Sequence, residues 1–378
     1  MPAQEDFLVE QFMDKYEDNA VYNVGETCCY SLSLGELAEI TGEKFEFDYE
    51  KRLTYGSIRG TQQLRSLIAE IHSNDEVHLS EKNVLITNGA IGANFLVNYA
   101  VAGPGDHVIC VAPTYQQLNS VPQMFGAEVD LLQLEAADDY LPNLSKLRSM
   151  LKPNTKLIVL NNPNNPLGSV IPTEMLAQIA ALADEAGVRV LNDEVYSPLF
   201  HSCEQPKSIC QLSSTGITTG SMSKSYSAAG IRLGWIITQD LDFIETAASR
   251  RDYNTISVSM VDDAISCYIL RNRQAVLDRN LALCKGNLDI LKEFVEGSEG
   301  KFTLVNDPKG GSVCLLRING MTDTETFAAT LARQFKVLAA PGECFGIPGT
   351  LRIGYGNSRA ELVKALELIN VAYDQTRN

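Results

Sequence analysis

The chain of 378 residues carries 31 Lys and Arg against 47 Asp and Glu, a formal charge of −16, with 45% apolar and 21% charged residues. That length allows a large core and two domains. The acidic balance argues against a nucleic acid or an anionic membrane surface as partner, while leaving room for one local cationic pocket. No run reaches the ~18 apolar residues of a membrane span, and residues 1–7 lack the basic and apolar regions of a signal peptide. A reducing, cytoplasmic setting is therefore expected. Nine cysteines, an odd number without a CxxC spacing, read as thiols rather than a disulfide framework or zinc site. Nor do His72, His78, His107 and His201 show metal-ligand spacing, so no metal is expected.

Apolar residues at helical spacing (Phe7, Leu8, Phe12, Met13, Tyr16) predict a first helix. The stretch from Tyr22 to Tyr30 follows, in which Gly25 either ends a surface strand or lines a site. Helical spacing returns at Leu34, Leu37, Ala38 and Ile40, and again at Leu64, Leu67, Ile68 and Ile71 behind Tyr55-Gly56-Ser57-Ile58-Arg59-Gly60. From residue 84 strands and helices alternate. A strand over 84–87 runs into Asn88-Gly89-Ala90 and a helix around 94–97. Such a glycine-containing turn offers free N–H groups and a positive dipole end to an anion. A strand over 107–112 ends in Pro113-Thr114-Tyr115, where the tyrosine is either a core residue or a site residue. A strand over 129–134, a helix over 144–151 and a strand over 157–160 come next.

That last strand opens on Asn161-Asn162-Pro163-Asn164-Asn165-Pro166-Leu167-Gly168, ahead of a helix over 175–186. Loops at the carboxyl ends of strands are where open α/β sheets bind ligands. The strand over 188–191 leads to Asn192-Asp193-Glu194-Val195-Tyr196, in which Asp193 is either a helix cap or a functional carboxylate. The stretch from Ser221 to Trp235 places Lys224 among small hydroxyl residues and Arg232 between Ile231 and Leu233. Two cations among such neighbours predict a partly desolvated site. There burial and a nearby cation lower a lysine pKa and favour the neutral amine that forms Schiff bases with carbonyls. The fixed fork of an arginine matches phosphate oxygens. Beyond lie a strand over 235–238, a helix over 241–250, a hinge over 250–259 and a long helical region over 260–295. The end reads as α+β: strands over 302–305 and 313–318, a helix over 324–335, a short strand over 351–355 carrying Arg352, and a last helix.

Ser-x-Ser-Lys (221–224) followed by Gly-x-Arg-x-Gly (230–234), Asn-Pro-x-Asn-Pro-x-Gly (162–168), the Asp193 and Tyr196 pair and the Tyr55-Gly56 segment resemble the class I/II aminotransferases, the fold-type I pyridoxal-phosphate enzymes. The resemblance runs in order from about residue 22 to 356. It implies an α/β fold with a large domain over 50–255, built on a mostly parallel seven-stranded-type sheet, and a smaller α+β domain from 1–49 and 256–378. It also implies a homodimer and pyridoxal 5'-phosphate as cofactor. Lys224 would hold the cofactor as a Schiff base and then act as base at the α-carbon. Asp193 would face the pyridine nitrogen, Tyr196 and Asn165 the phenolic oxygen, and Tyr115 the ring. Ser221, Arg232 and the N–H groups of Gly89 and Ala90 would hold the phosphate, joined by Tyr55 of the partner subunit. Gly25, Asn165 and Arg352 would receive the amino-acid substrate, with Arg352 on its α-carboxylate.

Two positions depart from the family pattern. Ile91 stands where a hydroxyl or amide is common, leaving only main chain to meet a phosphate, and Leu167 stands where threonine is usual. The implied activity is transamination with a 2-oxo acid. The segments 251–257, 308–311 and 25–37 look nearest to the capreomycidine synthase branch, whose members eliminate and cyclise an arginine derivative. A cyclase, eliminase or O2-using oxidase of secondary metabolism is thus the other expectation, with Glu26 and Asp252 as candidate partners for a cationic side chain. A non-enzymatic regulator, which needs an added DNA-binding module, is not expected of so acidic a chain.

Overall fold

Most strands expected between residues 84 and 238 are apolar runs without alternation, the pattern of strands covered on both faces. The computed structural model describes residues 4–376. In chain order it begins with helix α1 (Leu8–Tyr16), strand β1 (Tyr22–Asn23), α2 (Leu34–Thr41) and α3 (Gln62–Ile71). Ser33 and Glu36 form a reciprocal capping box on α2, which satisfies N–H groups that an open helix end leaves bare. Then follow β2 (Val84–Thr87), α4 (Gly89–Val101), β3 (His107–Ala112), α5 (Gln117–Met124), β4 (Glu128–Gln133), α6 (Leu144–Met150) and β5 (Thr155–Asn161). After these come α7 (Thr173–Ala186), β6 (Arg189–Asp193), α8 (Ile209–Leu212), β7 (Ile217–Ser221), β8 (Gly234–Thr238) and α9 (Leu241–Arg251).

The seven strands β2 to β8 form one sheet in the order β2-β8-β7-β6-β5-β3-β4. β8 pairs antiparallel with β2 and β7, and every other neighbouring pair is parallel. Side chains alternate across this sheet. Val108, Cys110, Leu157 and Val159 share a core with α4 and α9, whereas Ile109, Val111, Ile158 and Leu160 share one with α7. Each fully buried Val, Leu or Ile contributes about 1.5–3 kcal/mol relative to exposure, so both faces hold the strand ends in place.

Helices α10 (Met260–Arg271) and α11 (Arg273–Glu296) lead to β9 (Phe302–Leu304), β10 (Val313–Ile318), α12 (Thr324–Thr330), β11 (Val337–Leu338), β12 (Ala340–Pro341), β13 (Thr350–Gly354) and α13 (Arg359–Gln375). Strands β12-β13-β10-β9 form an antiparallel sheet, while β1 pairs parallel with β11. Phe12, Tyr16, Val24 and Cys29 of the N-terminal segment are buried in one cluster with residues of α11, β13 and α13.

Three details differ from the sequence reading. The helical region over 260–295 is broken at Asn272 (φ −103, ψ 18), whose amide donates to Glu43 and to the Tyr268 carbonyl. The helix over 324–335 is α-helical only to Thr330 and then widens into a π turn. The expected hinge begins as firm structure: Arg251 is buried and donates to the carbonyls of Ile86, at 2.7 Å, and Ile58. Among the described residues no helix is long and apolar enough to cross a membrane.

Candidate active site

Parallel pairing of β5, β6 and β7 brings their carboxyl ends side by side. Asn161 stands in register with Asp193, and Asp193 with Thr219. A cavity of about 390 Å³ opens there, roofed by residues 25–28 of the N-terminal segment. Lys224, Asp193, Tyr196, Asn165, Tyr115, Ser221, Arg232, Ala90, Gly25 and Arg352 all line it. Gly89, beside Ala90, does not line it but shapes its edge.

Asp193 is 3% exposed. One carboxylate oxygen accepts from Asn94 Nδ2 at 2.7 Å and the other from the Val195 N–H at 3.1 Å. Asn94 is oriented in turn by Thr219, whose hydroxyl donates to its Oδ1 at 2.7 Å. Burial pushes the Asp193 carboxyl up to about 6 against these donors. A buried carboxylate in this state gains most from a cation placed next to it.

Lys224 Nζ donates to Thr27 Oγ1 and lies 3.5 Å from Cys28 Sγ. Its pKa corrects the sequence reading, which lowered it. Burial does work against the ammonium, but Cys28, Tyr196 and Glu26 face it and outweigh burial, so its pKa stands above the ordinary lysine value. The sequence reading counted only residues near 224, and these three reach it from segments 28 to 198 positions away. Burial pushes the Cys28 thiol up to about 12, while the facing Lys224 pulls it the other way.

At one end of the cavity the N-terminus of α4 has no side-chain cap on its N–H groups. Gly89 takes φ +68, and a Cβ there would stand 2.9 Å from Arg232 Nη2. Only glycine lets the guanidinium approach this helix end. Arg232 Nη1 donates to the Ala229 carbonyl at 2.9 Å and lies 3.4 Å from Ser223 Oγ. At the other end Arg352 is 4% exposed. It donates to the Gly25 carbonyl at 2.8 Å and to Asn165 Oδ1 at 3.3 Å, with its guanidinium over the Phe345 ring at 5.1 Å. Its Nε has no partner, and neither has the buried Tyr196 hydroxyl. An unpaired buried polar group costs about 1–3 kcal/mol, and both of these line the cavity.

These features fit pyridoxal phosphate. An uncapped helix end beside Arg232, Ser221 and Ser223 suits a phosphate, and Asp193 suits a protonated ring nitrogen. The unpaired Tyr196 hydroxyl suits a phenolic oxygen, and Lys224 lies among them. Among the described residues no group of His, Cys, Asp and Glu could hold a metal ion.

Other expected residues lie elsewhere. Tyr55 is 78% exposed and lines a separate hollow with Thr61 and Asp263. Asp252 is exposed and outside the cavity, whereas Glu26 lines it. Tyr115 is packed against Phe7 at 5.0 Å, and its hydroxyl donates to Glu10 at 2.7 Å. The sequence reading missed Thr27, Asn94, Gln117, Glu10 and Glu17, all of which line the cavity. Asn94 alone carried a usable signal, since an amide between Ala93 and Phe95-Leu96-Val97 on an apolar helix implies a buried partner.

Residues 36–369 match the family model for aminotransferase class I and II. Over 369 residues the chain is 26% identical to capreomycidine synthase from Streptomyces vinaceus, a match covering 97% of this chain and 92% of that one. It is 27% identical over 336 residues to an aspartate aminotransferase from Thermotoga maritima, covering 87% and 86%. A solved PLP-dependent aminotransferase from Streptococcus suis shares 34% identity over 98% of each chain, with a TM-score of 0.92. The PLP-dependent cyclase OrfR shares the fold, with a TM-score of 0.89 at 19% identity over 100% of this chain and 99% of that one.

Proposed function

The chain belongs to the aminotransferase class I and II family of pyridoxal-phosphate-dependent transferases, and from that premise we propose that it moves the α-amino group of an amino acid to a 2-oxo acid. The observation carrying this reading is the meeting of Lys224, Asp193, the unpaired Tyr196 hydroxyl and the unpaired Arg352 Nε in one cavity. Bound there, pyridoxal phosphate supplies an electron sink for the bonds at the substrate α-carbon. Arg232, Ser221 and the N–H groups at the start of α4 would hold its phosphate, and Asp193 would keep a proton at its ring nitrogen. Tyr196 and Asn165 would donate to its phenolic oxygen, and Tyr115 would flank its ring. Arg352 grips the substrate α-carboxylate, so that the C–H bond to be broken faces the Lys224 amine. As the free base, that amine would take the α-proton and later return it.

The reading includes a homodimer, supported by a Tyr55 that is exposed and outside its own cavity, free to donate to the phosphate in the partner subunit. It also includes a cytoplasmic setting, supported by nine free thiols. The domain division is 50–255 against 1–49 with 256–378, supported by the shared core of the N-terminal segment and α11 to α13. The match to capreomycidine synthase over 97% of the chain favours one second reading, a cyclase, eliminase or oxidase.

Incubating the holoenzyme with single amino acids, with and without a 2-oxo acid, separates the two. Product that depends on the 2-oxo acid, with the amine count conserved, is the expected result. Ammonia, water loss or oxygen uptake would instead establish the second reading.

A further inference from the structure

Tyr55 belongs to a stretch, residues 42–61, that contains no helix or strand. Such a stretch keeps its course only through the contacts it makes. At its far end the Thr61 N–H and hydroxyl donate to Asp263 on α10, at 2.9 and 2.6 Å. Arg59 pairs with Glu245 on α9 at 2.6 Å, but both side chains are exposed and such a bridge contributes little. The remaining tie is Arg251, the last residue of α9 and only 2% exposed. Its two terminal nitrogens donate to the carbonyls of Ile58, in the stretch, and Ile86, in β2.

The two carbonyls do not depend on Arg251 equally. β2 is the edge strand of its sheet and is laddered to β8, so it keeps its place without the guanidinium. Residues 56–60 have no ladder. They lie along the open edge of β2, where the Ile86 N–H donates to the Arg59 carbonyl at 3.2 Å. Gly60 independently marks this docking as built in: it takes φ +90, and a Cβ there would stand 2.1 Å from Ile86 Cγ1. The planar fork of an arginine can hold two carbonyls at once, which a lysine ammonium does less well. Arg251 thus lends the fixed position of the strand to the stretch that carries Tyr55.

We propose that Arg251 is a positioning residue for cofactor binding in the partner subunit: it fixes residues 56–60 against β2 so that Tyr55 is presented to the neighbouring cavity. Its action crosses the interface, since neither Arg251 nor Tyr55 lines the cavity of its own chain. Ile86 shortly precedes Gly89, but the ladder to β8 already holds that strand. This inference rests on the proposed function, because it takes the homodimer and the role of Tyr55 from there.

The test titrates full-length dimers with pyridoxal 5'-phosphate and follows the lysine-bound absorption band. A Lys224→Ala chain gives no such band, so a purified hybrid with Lys224→Ala reports only the other chain's site. Arg251→Met homodimers should bind the cofactor about tenfold more weakly than the parent. The hybrid of Arg251→Met with Lys224→Ala should bind it as tightly as the parent, because its reporting site receives Tyr55 from a chain with Arg251 intact. Arg251→Lys, which keeps the charge and loses the fork, takes the place of Arg251→Met should that variant not fold. Hydrogen exchange at residues 57–60 should quicken in the homodimer, while the β2 amides laddered to β8 stay protected. The hybrid of Tyr55→Phe with Lys224→Ala is the control for the interface. If that control regains parent affinity and the Arg251 hybrid does not, the inference alone is overturned. The same follows if the Arg251 homodimer binds as the parent does, or if β2 opens together with residues 57–60. If Tyr55→Phe homodimers bind as tightly as the parent, or their hybrid is not restored, the role of Tyr55 falls and takes this inference with it.

Discussion

The floor and the roof of the cavity are built by different means. On the floor, Asp193 and Ser221 end strands laddered to neighbours on both sides, and Asp193 is fixed by Asn94, itself fixed by Thr219. The roof is a segment without regular structure, held by contacts distant in sequence. The Gly354 N–H donates to Val24 at 2.7 Å, the Ser312 hydroxyl to Thr27 at 2.6 Å, and Arg352 to Gly25. Gly354 is required there, since a Cβ would come within 1.8 Å of the Glu26 carbonyl. The floor forms with the sheet, whereas the roof forms only once two remote stretches have docked. Segments held by few long-range bonds open at lower free-energy cost than core strands. The floor residues are those assigned to the cofactor, and the roof residues are those assigned to the substrate.

The largest expected effect is on the floor. Lys224→Ala should abolish the lysine-bound cofactor band and lower turnover by at least ~10³-fold, with the fold retained by circular dichroism. Turnover near the parent level would break the assignment of chemistry to the floor. On the roof side, Arg352→Lys keeps the charge but loses the fork and the bond to Gly25. KM for the amino acid should rise about 10- to 100-fold with a smaller change in kcat. Hydrogen exchange at residues 24–28 should quicken in the same variant, and an unchanged KM would count against the carboxylate role.

Next in size is a pH effect. In the cofactor-free protein the Asp193 carboxyl titrates near 6, against an ordinary 3.8. Between about pH 4 and 6 the unfolded chain has released this proton and the fold still holds it, so stability falls as pH rises. The loss is about 3 kcal/mol. Glu194, pushed up to about 7 by burial, adds the same trend but does not line the cavity. A cation on the cofactor's ring nitrogen removes the Asp193 share. The gain in Tm on adding pyridoxal phosphate should therefore be larger at pH 7.5 than at pH 5, and Asp193→Asn should flatten the difference. The smallest effect is expected from Asn94→Ala, which frees Asp193 from a donor. Turnover should fall about tenfold, with the acid limb of the pH profile moved upward because the lost hydrogen bond had favoured the carboxylate.

Amino-acid order by itself determined the alternation of apolar strands and helices from residue 84 to 251 and the glycine turn before α4. It also placed polar loops at the strand ends that carry Asn165, Asp193 and Lys224. These are legible because strand burial, turn chemistry and helix periodicity are properties of a few consecutive residues. Tertiary structure alone decided what surrounds Lys224. Thr27, Cys28 and Glu26 reach it from almost 200 positions away, and Cys28 and Glu26, with Tyr196, reverse the expected direction of its pKa. It also decided that Glu10 and Glu17 line the cavity, that Asp252 does not, and that Tyr55 faces away from its own chain's site. Charge acts through space while a sequence pattern reports only neighbours along the chain, so these electrostatic neighbourhoods came into being only with the docking of the N-terminal segment.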